Sequence, residues 1–110
     1  MKIQVTNDDL GKGARGSCEW CPVALAIQRT YNLRNGKEET KEEKMVTVDE
    51  DGVGIWQDSV EQHYQLPQIA RDFIHSFDNY NYGRTIFRDK NFWKYFKPFS
   101  FKIGKRIKHD

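Results

Sequence analysis

The chain has 110 residues, of which 37% are apolar and 14% aromatic, with a formal net charge of +2. That suffices for one domain with a modest core built largely from big rings. No apolar run approaches the roughly 20 residues that span a bilayer, and the start Met1-Lys2-Ile3-Gln4-Val5-Thr6 lacks the apolar stretch of a signal peptide, so a cytoplasmic protein without a membrane partner is expected.

In chain order, Ile3 and Val5 alternate with polar neighbours and predict a short strand over residues 2–6. Thr6-Asn7-Asp8-Asp9 suits a capped turn, and residues 10–20 form a glycine-rich loop. A helix is expected from Pro22 to about Leu33, with apolar residues around much of its circumference. Residues 37–44 are a charged, solvated connection. Residues 45–48 and 53–57 read as strands joined by an Asp51-Gly52 turn, with a further short strand at 63–66. Pro67 opens a second helix to about Phe77, whose Ile69, Ala70, Phe73, Ile74 and Phe77 fall on one apolar stripe. Residues 78–96 read as irregular or weakly helical. Phe99, Phe101 and Ile103 alternate as a strand, and residues 104–110 form a frayed basic tail. The expected architecture is a small α+β domain of order β-α-β-β-α-β, an antiparallel or mixed sheet of about four to five strands carrying two helices. Residues 1–104 make up the domain, with an aromatic, basic insertion at about 79–96, and 105–110 the tail.

The chemistry concentrates at Gly11-Lys12-Gly13-Ala14-Arg15-Gly16-Ser17-Cys18-Glu19-Trp20-Cys21-Pro22. Glycines let backbone N–H groups approach a ligand, proline suits a first helical position, and a helix N-terminus offers unpaired donors and partial positive charge. Arg15 adds a fork of donors matched to phosphate. The segment is thus a candidate anion site, set against a loop that merely turns tightly over the helix start. Gly11, Gly13 and Gly16 spell G-x-G-x-x-G, but Asn7 to Leu10 separate them from the first strand, and the chain is too short for a dinucleotide fold. Cys18 and Cys21 leave three readings open: structural thiols, a redox pair lowered in pKa by the helix start, or half of a zinc site. His63, His75 and His109 are isolated, and no catalytic constellation emerges.

Charge is distributed unevenly. Residues 1–83 carry 9 Lys/Arg and 14 Asp/Glu, whereas residues 84–110 carry 9 and 2. Nine aromatics fall between Tyr80 and Phe101. Interleaved cations and rings suit stacking on bases beside phosphates; the simpler reading packs the rings inward and solvates the lysines.

The residues Ile3, Val5, Thr6, Gly13, Arg15, Gly16, Cys18 and Cys21 to Ile27, then Leu66, Pro67, Ala70, Arg71, Phe73, Ile74, Phe77, Asp78 and Pro98 to Phe101, form a pattern that resembles a group of small phage, prophage and bacterial proteins. The resemblance covers about half of the chain, at both ends. It implies a phage-type accessory protein, of a kind that often counters host defence by sequestering nucleotide immune signals (cyclic oligonucleotides or cyclic ADP-ribose species), or by binding a host defence protein or nucleic acid. The resulting expectation is a non-enzymatic nucleotide-binding protein of the host-cell cytoplasm. Arg15, Gly16 and Ser17 would hold phosphate, and Arg71 would add a second cation if its helix reaches the loop. Trp20, Trp56, Tyr64 or Phe99 would stack on the base. A homo-oligomer would enclose the ligand. No cofactor is expected, zinc at Cys18 and Cys21 being the alternative. The alternative function is a protein- or nucleic-acid-binding inhibitor module that uses the basic aromatic C-terminal segment.

Overall fold

A computed structural model of the chain describes residues 2–14, 16–17, 19–36, 45–80 and 90–107. Alternation sets the first strand: β1 (Lys2–Val5) buries Ile3 and Val5 and exposes Lys2 and Gln4. It pairs antiparallel with β5 (Phe99–Lys102), placing Ile3 opposite Phe101 and Val5 opposite Phe99. Thr6 then caps a short helix, α1 (Asn7–Lys12), through a reciprocal capping box with Asp9. Asp9 is only 3% exposed. Its carboxylate accepts from Arg29 Nη1 at 2.6 Å and Nη2 at 3.0 Å, while Nη2 also donates to the Gln4 carbonyl at 2.7 Å. The hydrogen bond to Asp9 raises the Arg29 guanidinium above its ordinary pKa against the opposing effect of burial, with further help from the charges of Asp9 and Asp8.

Arg29 belongs to α2 (Pro22–Thr30), which buries Val23, Ala24, Ala26 and Ile27 completely. It packs on α1 and on both β1 and β2 (Val46–Val48), one strand from each of two sheets. The second sheet is fully antiparallel, ordered β2-β3-β4-β6, with β3 at Val53–Gln57, β4 at Val60–Tyr64 and β6 at Arg106–Ile107. The Asp49 carboxylate shapes the β2–β3 turn by accepting from the N–H groups of Asp51 and Gly52. A buried amide closes this half of the molecule. Asn35 Nδ2 donates to the carbonyls of Glu19 and Val46, and Asn35 Oδ1 accepts from the N–H groups of Met45 and Val46.

The other half is aromatic. α3 (Gln68–Asn79) turns Ala70, Ile74 and Phe77 into the core. α4 (Lys90–Tyr95) buries Phe92. Phe77, Phe92 and Phe96 meet with centroids 5.0–6.2 Å apart, mostly edge to face, as ring quadrupoles prefer.

The α+β class agrees with the sequence reading, and several details differ. There are two sheets instead of one, because β1 finds its partner in β5 at the far end of the chain. Four helices are described rather than two. The expected turn at residues 6–9 is the start of α1, since the Asp9–Arg29 pair supports a helix too short to persist alone. Residues 105–107 are not tail but sheet: Gln65 N–H donates to the Lys105 carbonyl and Gly104 N–H to the Gln65 carbonyl, leading β6 onto β4. Ile69 is 52% exposed and stands outside the core stripe. Residues 81–89 of the expected insertion, the charged connection at 37–44 and His109 lie outside the described residues. Among the described residues no helix is long and apolar enough to cross a membrane.

Candidate functional site

Of the glycine-rich loop, Arg15 and Cys18 lie outside the described residues. The neighbouring polar groups serve the chain itself. Gly16, at φ 70°, donates its N–H to Asp78 Oδ1 at 3.0 Å, so a carboxylate from α3 already faces this donor. Ser17 Oγ accepts from Trp20 N–H at 3.0 Å, and Ala14 N–H donates to the Trp20 carbonyl at 2.8 Å. Cys21 is buried as the N-cap of α2, its Sγ accepting from Ala24 N–H, with Pro22 next in the first turn. Glycine at position 13 has a packing reason, because a side chain there would run into the Pro22 ring. Trp20 is half-buried beside this loop. Among the described residues no group of three or more His, Cys, Asp or Glu is placed to hold a metal ion.

Arg71 does not join the loop. It is Asp78, two turns further along α3 and about 10 Å away by helical rise, that reaches Gly16. Arg71 Nε donates instead to the Glu50 carbonyl at 2.8 Å, in the β2–β3 turn. It lines a polar cleft with Glu50, Gln68, Asp72 and His75, where His75 Nδ1 stands 3.8 Å from Glu50 Oε1 and Gln68 donates to Asp72 at 2.7 Å. Trp56 and Tyr64 sit half-buried on β3 and β4; the Tyr64 carbonyl faces Gly52 of the β2–β3 turn, and its hydroxyl donates to Gln62 Oε1.

Phe99 has a different setting. Its ring lies 4.9 Å from Phe73 and 6.0 Å from Phe101. With Phe73 it walls a cleft of about 370 Å³ between α3, α4 and β5, completed by Ile69, Asp72, Ser76, Tyr95, Phe96, Lys97 and Pro98. Asp72 borders both this cleft and the Arg71 cleft. The structure therefore brings Phe99 and Arg71 to adjoining clefts on α3, and leaves Gly16, Ser17 and Trp20 elsewhere.

The cleft exists because α3 has two apolar stripes. Ala70, Ile74 and Phe77, spaced i, i+4, i+7, enter the core. Ile69, Phe73 and Ser76, with the same spacing one residue earlier, face the cleft. The residues missed from sequence are Ile69, Phe73, Tyr95, Lys97 and Pro98. No local signal separates them: Ile69 and Phe73 share the apolar stripe of the sequence, and it is the fold that leaves Ile69 52% and Tyr95 64% exposed. The simpler reading of the C-terminal aromatics is met by Phe92, Phe96 and Phe101, which are buried, but not by Tyr95.

No protein-family model, curated protein or solved structure matches the chain. The functional reading rests on geometry.

Proposed function

We propose that this protein is a non-enzymatic binder of a nucleotide-class ligand, whose base lies in the α3–α4–β5 cleft. The observation that carries the reading is the lining of that cleft: the Phe73 and Phe99 rings, exposed Tyr95 at the rim, and the Lys97 cation together in a space of about 370 Å³. Ligand clefts of this size are typically apolar with a few polar groups. Aromatic walls suit a base of any sequence, Lys97 suits a phosphate, and Asp72 suits an exocyclic amine, as carboxylates do on cytosine. Arg71, in the adjoining cleft, would meet a second phosphate if its contact with the Glu50 carbonyl is exchanged.

This places the ligand away from the glycine-rich loop, where the Asp78 carboxylate would repel a phosphate at Gly16. Sequestration of a nucleotide immune signal, implied by the resemblance to small phage proteins, is the biological form such binding would take. The cleft is shallow and broadly open to solvent, so a second copy of the chain closing over it belongs to the same proposal.

Calorimetric titration with a panel of linear and cyclic mononucleotides and dinucleotides tests the reading. Binding by at least one of them is expected, weakened about 5- to 150-fold by Phe99→Ala, the range for loss of one base–aromatic stack. Failure of the folded protein to bind any of the panel at millimolar ligand would sink it.

A further inference from the structure

The cleft is the end of a longer surface. From Lys90 to Ile107 the chain holds six Lys/Arg and no Asp/Glu. Three of these cations, Lys90, Lys94 and Lys97, are exposed and follow α4 up to the cleft mouth, where Lys97 forms part of the wall. Lys90 and Lys94 are spaced i, i+4, which puts like charges on neighbouring turns at a small cost to the helix. No ion pair relieves them among the described residues. Beside them, Tyr95 is 64% exposed. One side of its ring rests on Tyr80, at a centroid distance of 5.9 Å and an interplanar angle of 24°. That backing holds a large ring in water where the fold alone gains little from it.

Repetition is the informative part. A single nucleotide needs one stacking site and one or two cations. This surface offers a ring at the cleft rim (Tyr95), rings deeper inside it (Phe73, Phe99), and cations running back along α4. We infer that the α4 surface and the cleft together bind single-stranded nucleic acid, one base in the cleft, a second on Tyr95, and the phosphates along Lys97, Lys94 and Lys90. Stacking platforms beside a cationic track are the usual means of holding single strands without sequence preference, and a duplex, with its bases already stacked, cannot use them. An acidic polypeptide would satisfy the lysines but would leave the exposed Tyr95 ring and the aromatic cleft at the Lys97 end of the track unexplained. The inference rests on the proposed function, in that the cleft must accept a base.

The test is fluorescence anisotropy of the full chain with a fluorescein-labelled oligothymidylate of about 12 nucleotides, within the site sizes known for small single-strand binders, alongside calorimetry with dTMP. Three phosphate contacts at about −0.7 each predict a slope of log K on log salt near −2, hence binding about 20-fold weaker at 200 mM than at 50 mM salt. The oligomer should bind at least tenfold tighter than dTMP. Lys90→Ala combined with Lys94→Ala should bring the slope to about −0.7 and leave dTMP binding unchanged. Both lysines are exposed, and a thermal melt checks that the variant folds. Tyr95→Ala should weaken the oligomer more than it weakens dTMP.

If dTMP binds and the oligomer binds no tighter, or without salt dependence, this inference is overturned and the nucleotide reading stands. If neither binds, the single-strand inference falls, and the nucleotide reading falls with it when the full nucleotide panel also fails to bind. If poly-glutamate binds with the oligomer's affinity and salt slope, the track serves an acidic protein and the nucleic-acid assignment is wrong.

Discussion

Two regions of this molecule carry many polar groups and treat them oppositely. Around α1, α2 and β2 the buried polar side chains are turned to internal partners. Asp9 takes the Arg29 fork and the Thr6 N–H, Gln28 and Asn35 share the Glu19 carbonyl, and Asn35 ties down Met45 and Val46. Along α4 and the cleft, Lys90, Lys94 and Lys97 stand exposed beside an exposed tyrosine. The difference separates polar groups that hold a fold from polar groups the fold does not need. By that criterion the described polar groups of the glycine-rich loop, at Ala14, Gly16, Ser17 and Cys21, belong with the first region.

The contrast is most easily broken at Asn35. Its side chain makes four hydrogen bonds to backbone and is 7% exposed as a residue. Asn35→Ala strands buried N–H and C=O groups of Val46, which costs about 3 kcal/mol. Thermal unfolding should shift down by about 12 °C. A change under 3 °C would mean that the amide clip is dispensable and that the first region is not built as described.

Next in size is Asp9→Ala, which removes the capping box and leaves the Arg29 guanidinium without its carboxylate. The Arg29 side chain is 49% exposed, so water recovers part of the loss. About 2 kcal/mol is expected, below the 3–5 kcal/mol of a fully buried broken pair, and is measured as a lower urea midpoint. Because the folded-state pKa of Arg29 is raised, the pair's contribution is complete below the ordinary arginine value and fades only as pH rises beyond it. Stability from this pair should therefore be level from pH 6 to 9.

A smaller effect concerns Tyr31, whose hydroxyl is pushed above its ordinary pKa of 10.0 first by burial and then by the charge of Tyr64. The folded state holds this proton more tightly than the unfolded state does. Its share of stability is thus fully present below pH 10 and is lost as pH rises through the folded value. Tyr31→Phe should reduce the fall in urea midpoint between pH 9 and 11. An identical fall in the variant would show that other groups cause it.

What was legible in the sequence follows the same division by range. Pro22 at the start of α2, the Asp51-Gly52 turn and the alternation of Phe99 and Phe101 in β5 are decided within a few residues, and each was readable. α1 depends on Arg29, 20 residues from Asp9, so its capping box resembled a turn. β6 depends on Gln65, and the β1–β5 sheet on pairing opposite ends of the chain, which local pattern does not encode. The partner of Gly16 was hidden for a similar reason: its N–H meets a carboxylate 62 residues away. Phe99 was singled out because an aromatic on a strand in a basic segment is a local feature. The cleft around it was not, because Ile69 and Phe73 looked like part of a single stripe.

The sharpest comparison lies within α3 itself, between two isoleucines five residues apart. Ile74 is 6% exposed and enters the core, whereas Ile69 is 52% exposed at the cleft. Ile74→Ala should cost about 3 kcal/mol, as core truncations do. Ile69→Ala should change stability by less than about 0.5 kcal/mol, yet weaken ligand binding by removing a wall of the cleft. If both truncations destabilise equally, α3 has one apolar face, as the sequence pattern suggested, and the cleft closes in solution. If Ile69→Ala alters neither stability nor binding, the cleft wall is idle and the ligand must be sought along α4. An exposed isoleucine retained beside half-buried rings gains nothing from folding, so its effect should appear in binding alone.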